Sequence, residues 1–199
     1  MTDLDAGQDE AAPARLTLVT PEDWYRLPLL EEQRLRRGVA ELVDRQFRGK
    51  DDRPTLRREL VDALLEQAHR AREGGGVDMY LSDLPISGVP LALSLVVSLV
   101  PFPADATDLE DLAPGFDDEG VQATVVELPA GRALRRQRVE ARDAPELAVT
   151  QLDTLLVDYL LPGPGETALL LTFSSPLVPV AEALSELFEA VAGTVRWSE

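Results

Sequence analysis

The sequence predicts an α+β fold: one mainly antiparallel sheet with an N-terminal helical hairpin and a C-terminal helix packed on it. Three observations carry this expectation. Apolar residues recur at helical spacing near both ends of the chain and at spacing two through its middle. The period-two segments are joined by turns rich in proline and glycine, so strand follows strand instead of alternating with helix, which argues against a doubly wound parallel sheet. The 199 residues are 45% hydrophobic and 28% charged, close to the globular averages of about 45 to 50% and 25%, so the chain can build a core.

Residues 1–14 form an acidic tail with few large apolar side chains to offset the entropy of ordering it, and are expected to be disordered; residues 15–199 form a single domain. Leu16 to Val19 reads as a short strand, and Thr20-Pro21-Glu22-Asp23 has turn chemistry leading into Tyr25 to Leu29. From Leu30 to Phe47 the positions Leu35, Val39, Leu42, Val43 and Phe47 share one helical face. Gly49-Lys50-Asp51-Asp52 breaks this helix and Arg53-Pro54-Thr55 opens a second, in which Leu56, Leu60, Leu64 and Ala68 recur every fourth residue beside Val61 and Leu65. Gly74-Gly75-Gly76 ends it. So short a link predicts an antiparallel helical hairpin.

Val77 to Leu84 and Leu91 to Val100 then read as strands. The second carries Leu91, Leu93, Leu95, Val97 and Leu99 on a face expected to be buried, with the smaller Ala92, Ser94, Val96, Ser98 and Val100 opposite, so it should be central. Pro103 to Gly120 holds seven acids and no base, with at most a short helix over Asp108 to Leu112; its stretch Asp105 to Glu119 should be mobile. Val121 to Leu128 and Arg132 to Arg142 are strands joined by Pro129-Ala130-Gly131, and Leu147 to Leu161 and Thr167 to Phe173 form a second hairpin around Pro162-Gly163-Pro164-Gly165. Val180, Leu184, Leu187, Phe188 and Val191 mark the last helix, and Thr194 to Trp197 a final short strand.

Composition excludes several functions. Nineteen Lys and Arg against 36 Asp and Glu give a net charge of -17, a field that repels phosphates and argues against nucleic acid as a partner. Cysteine is absent, which removes disulfides, thiolate metal sites and a cysteine nucleophile, and the single histidine leaves no pair for zinc and no usual serine triad. No cofactor is expected. The most apolar stretch, Val89 to Phe102, is interrupted by Pro90 and Pro101, with ten residues between them where a spanning helix needs about 20, so no membrane insertion is expected. With no basic and apolar leader in its first residues, the chain reads as cytoplasmic. It contains no asparagine, one lysine (Lys50) and one isoleucine (Ile86), a bias toward GC-rich bacterial codons.

Few residues are candidates for chemistry. His69 lies on the second helix with Asp62, Glu66 and Glu73 near it and reads as a solvent-facing histidine in an acidic patch. Gly74 to Gly76 precedes a strand, not a helix, and is a helix stop rather than a phosphate loop. Asp153 and Asp158, inside an otherwise apolar strand, are the best carboxylates for acid-base work, although a half-exposed sheet face needs polar residues and favours reading both as solvent-facing. The feature that runs against the bulk charge is Gly131 to Arg142, with five Arg and one Glu for a local charge of +4. Strand alternation puts Arg132, Arg136, Arg138 and Arg142 on one face and Arg135 on the other. The four are candidates for contact with an acidic protein partner or a phosphorylated ligand, Arg135 being mainly structural. The plainer alternative is a solvated strand whose guanidinium heads pair with the acidic loop or with neighbouring strands.

Trp24 with Leu27-Pro28-Leu29, Met79-Tyr80-Leu81, Leu128-Pro129-Ala130-Gly131-Arg132, and the ending from Thr172-Phe173-Ser174-Ser175-Pro176 to Val195-Arg196-Trp197 carry a resemblance. Over most of its length past Leu16 the chain resembles proteins of high-GC Gram-positive bacteria encoded near type VII secretion genes, and more distantly the PsbP-like α/β/α sandwich fold. The resemblance implies a binding or accessory module. The expected function is therefore a non-enzymatic cytoplasmic interaction protein. The alternatives are a small-ligand binder with its pocket between the sheet and the helical hairpin, or a small hydrolase or isomerase using carboxylates around Asp153 and Asp158.

Overall fold

The computed structural model describes residues 15–47, 54–82, 85–86, 89–90, 92–102, 109–112, 121–144, 149–163 and 166–198. The expectations for the acidic tail, for the break at Gly49 to Asp52, for Leu91 and for most of the mobile acidic segment fall outside these residues. The chain runs β1 (Arg15–Thr17), β2 (Trp24–Pro28), α1 (Glu32–Gln46), α2 (Pro54–Glu73), β3 (Gly76–Ser82), the small hairpin β4 (Pro85–Ile86) and β5 (Val89–Pro90), and β6 (Ser94–Pro101). It continues with α3 (Leu109–Leu112), β7 (Gln122–Leu128), β8 (Gly131–Ala144), β9 (Val149–Pro162), β10 (Thr167–Ser175), α4 (Ala181–Ala192) and β11 (Arg196–Ser198).

Seven strands form one sheet in the order β2-β3-β6-β10-β9-β8-β7, every neighbouring pair antiparallel, while β1 and β11 join the two ends of the described chain in a separate ladder. The α+β class and the mainly antiparallel sheet are as the periodicity predicts. Among the described residues no helix is long and apolar enough to cross a membrane.

Helices cover opposite faces of the sheet, and β6 shows how. Leu93, Leu95 and Val97 enter a core with Phe173 of β10, Val157 and Tyr159 of β9, and Leu184, Phe188 and Val191 of α4. Val96, pointing the other way, packs with Met79, Leu27, Leu35, Val39 and Ala68 under the α1–α2 hairpin. Phe173 is the hub of the first core: its ring stacks on Phe188 at 4.6 Å between centroids and takes the edges of Tyr159 at 6.0 Å and Trp24 at 6.4 Å. Such aromatic contacts add about 0.5 to 1.5 kcal/mol each beyond the area they bury, which fixes α4 against the sheet.

The two helices of the hairpin are antiparallel because their ends pair crosswise: Arg57 near the start of α2 meets Asp44 near the end of α1, while His69 and Arg72 near the end of α2 meet Glu32 at the start of α1. Gly75, at φ +87°, makes the left-handed exit from α2 that a side chain would resist, and its carbonyl takes the N–H of Leu99.

That glycine also accounts for a departure from expectation. Leu99 is 44% exposed although Leu95 and Val97 on the same face are buried. Its neighbour on the β3 side is Gly75, which has no side chain to cover it. Leu56, expected on the apolar face of α2, is likewise 44% exposed, and Val180 lies on a 3-10 turn before α4, half exposed, instead of starting the apolar stripe.

Candidate functional site

Strand β8 positions the arginine strip. Gly131, at φ +127°, closes the turn from β7, and from there alternation puts Arg132, Arg136, Arg138 and Arg142 at positions of one face and Arg135 at the other. The register sets Arg132 opposite Glu127 of β7, Arg136 opposite Asp158 of β9, Arg138 opposite Leu156 and Arg142 opposite Leu152. The side chain of Arg142 lies outside the described residues.

The middle of the strip is built around one carboxylate. Oδ2 of Asp158 accepts hydrogen bonds from Arg136 Nε at 3.0 Å and Nη2 at 2.7 Å, and from Arg138 Nη1 at 2.5 Å. Arg138 Nε donates to Glu140 Oε1 at 2.5 Å. Side-chain exposure is 30% for Arg136, 18% for Arg138 and 6% for Asp158. Burial works to lower the Arg138 guanidinium, but its hydrogen bond to Glu140 and the charge of Asp158 override that and push it above its ordinary value.

Two expectations are corrected here. Asp158 is buried, not solvent-facing: two guanidiniums compensate the cost of removing a carboxylate from water, so the lone acid in an apolar run is an internal anchor. Asp153 is exposed and, five positions away on the same strand, faces the other side of the sheet. The two aspartates cannot converge on one substrate.

At the start of the strip, Arg132 is paired with Glu110 of α3 and lies 3.5 Å from Glu127. The acidic segment is thus tied to the strip through its short helix. Arg135, on the opposite face, stands across from Tyr159 and donates through Nη2 to Gln137 Oε1, which also receives Ser185 Oγ of α4 at 3.0 Å. Burial raises the Tyr159 hydroxyl above its usual value and Arg135 offsets part of that. Arg135 lies on the opposite face from the strip, as alternation predicts; its link through Gln137 to α4 has no signature in the sequence.

His69 has a partner on the other helix of the hairpin. It is 38% exposed, and Nε2 lies 3.2 Å from Glu32 Oε2 of α1. Glu32 also accepts from Arg36 at 2.5 Å and has Arg72 at 3.8 Å. The hydrogen bond to His69, followed by that to Arg36, holds the Glu32 carboxyl below its ordinary value. Among the described residues no cluster of His, Asp and Glu could hold a metal ion.

The region between hairpin and sheet, where a ligand pocket is one expectation, is filled by Leu27, Leu35, Val39, Ala68 and Met79. A groove of about 430 Å³ lies elsewhere, between the β7–β8 turn and α4, with Glu127, Glu186 and Glu189 over Leu128, Pro129 and Ala190. Its lining brings three carboxylates together, and Arg132 lies 3.5 Å from the first of them, Glu127. The chain matches no protein-family profile and no curated protein.

Proposed function

We propose that the chain is a non-enzymatic cytoplasmic interaction or accessory module linked to type VII secretion, with a PsbP-like α/β/α sandwich as its scaffold. The strip Arg132, Arg136, Arg138 and Arg142 receives an acidic surface of a protein partner. The observation that supports this best is the seat of α3: the strip takes the Glu110 carboxylate of an acidic helical segment on Arg132, the kind of contact an acidic partner would make. Asp158 supports it by fixing two guanidiniums in place, so that little side-chain entropy is lost when a partner arrives. Arginine suits the role because its planar fork binds carboxylates bidentately.

The test is capture from a high-GC Gram-positive host by the wild-type chain and by Arg132→Glu. This substitution leaves the Asp158 cluster alone. A partner bound by the wild type, released by added salt and lost in Arg132→Glu supports the reading. Equal capture by a folded Arg132→Glu variant overturns the strip as the contact.

A further inference from the structure

Helix α3 is an acidic segment already seated on the strip, and two neighbouring side chains place it there. Glu110 is paired with Arg132, and Leu109 beside it is 6% exposed. The elements that α3 lies against are β7 and β8, at the end of the sheet. Leu134, which alternation puts on the face of Arg132 and Arg136, is buried as well. Neither leucine belongs to the core under α4 or to the core under the helical hairpin. The start of the strip therefore takes one apolar and one acidic side chain from a helix of four residues. A helix of a single turn is too short to be stable by itself, so α3 depends on contacts outside itself.

We infer that α3 is a built-in occupant of the strip, held in the place of a partner segment with the same chemistry: a large apolar side chain followed directly by a carboxylate. The inference rests on the strip as the partner contact, and adds what the partner presents and what closes the strip without it. The two side chains act unequally. The Arg132–Glu110 pair is about half exposed and contributes little, whereas burying a leucine contributes more. A partner that brings only charge cannot replace both. The leucine position thus selects among acidic segments, and the arginine orients the one selected. Because α3 is on the same chain, its return to the seat is intramolecular, and a free segment binds only the fraction of molecules in which α3 has left.

The probe is a labelled synthetic peptide of residues 105–119, titrated with purified chain and followed by fluorescence anisotropy. A net charge of -17 repels so acidic a peptide from most of the surface, so binding reports a local seat. Leu109→Ser with Glu110→Ser in the chain releases α3, and this variant should bind the peptide at least about tenfold tighter than the wild type does, a factor that burial of one leucine controls. Adding Arg132→Glu should abolish the gain, added salt should reduce it, and a peptide carrying Leu109→Ser should bind neither chain. Circular dichroism checks the fold; if the double variant is unfolded, Leu109→Ala takes its place with a gain in the same direction. Loss of fold in both would make α3 part of the fold and overturn a displaceable occupant. Equal binding to wild type and variant, or none to a folded variant, would also overturn the inference and leave the Arg132 test of partner capture standing. Capture from the host that ignores Arg132, beside a positive peptide titration, would instead overturn the strip as the partner contact.

Discussion

Asp158 and Arg136 face each other across β9 and β8 and share two hydrogen bonds, from Nε at 3.0 Å and Nη2 at 2.7 Å, with the carboxylate 6% exposed. Because Arg138 reaches the same oxygen, removing the carboxylate takes a shared partner from two guanidiniums on a mostly buried face. Breaking one side of a buried ion pair costs about 3 to 5 kcal/mol; with Arg136 at 30% exposure the lower end, about 3 kcal/mol, is expected for Asp158→Ala. Denaturant unfolding measures it. A loss under about 1 kcal/mol, the range of a surface pair, would mean that the cluster is open to solvent. By the same argument Arg136→Glu with Arg138→Glu, which adds two carboxylates beside Asp158, should unfold the chain.

The core face of β6 makes a graded prediction. Leu95 is fully buried between Tyr80 of β3 and Phe173 of β10 in the register, so Leu95→Ala should cost about 2 to 5 kcal/mol. Leu99, beside Gly75 and 44% exposed, should cost under about 1 kcal/mol when changed to Ala. Equal losses at the two sites would show that the face is covered to its end.

This contrast shows how far the sequence was legible. Alternation along Leu93 to Leu99 and along Arg132 to Arg138 placed the side chains on their faces, because a strand's period is a property of the backbone. Helical spacing likewise placed Leu35, Val39 and Leu42 in the core. What alternation does not carry is the identity of the neighbour across the ladder. Leu99 is exposed because of a glycine 24 positions away, and Asp158 is buried because register brings Arg136 beside it and Arg138 within reach. His69 belongs to the same class: the acids of its own helix are visible in the sequence, whereas Glu32, its actual partner, comes from α1. One signal for Asp158 was present, a lone acid in Leu155-Leu156-Val157-Asp158-Tyr159-Leu160-Leu161, since an unpaired charge in such a run is too costly to keep.

The link between α1 and α2 predicts a pH dependence. The Glu32 carboxyl is held below its ordinary value by His69 and then by Arg36, so its contribution to stability is fully present above the ordinary carboxylate pKa. It is lost as pH falls through the lower folded value. Unfolding midpoints of the wild type and Glu32→Gln, measured across an acid series, should differ near neutrality and converge as the carboxylate protonates. A difference that persists unchanged to the acid end would assign the effect to packing and not to charge.

The seat of α3 on the strip sets up a competition. Arg132 and Glu110 are 44% and 54% exposed, and an ion pair of that exposure is worth about 0.2 to 1 kcal/mol, so Glu110→Gln should leave the melting temperature nearly unchanged. If an acidic partner contacts Arg132, its carboxylate must displace Glu110 or share the guanidinium with it. Removing the Glu110 charge should then strengthen capture, and the worth of the pair caps the gain: 1 kcal/mol corresponds to a factor of about five in affinity. Titrating the captured partner against the wild type and Glu110→Gln at one salt concentration gives the ratio. A gain within about fivefold that shrinks as salt is added fits contact at Arg132. An unchanged affinity would remove Arg132 from the contact and leave the Glu110 pair as a tie that holds α3 to the sheet.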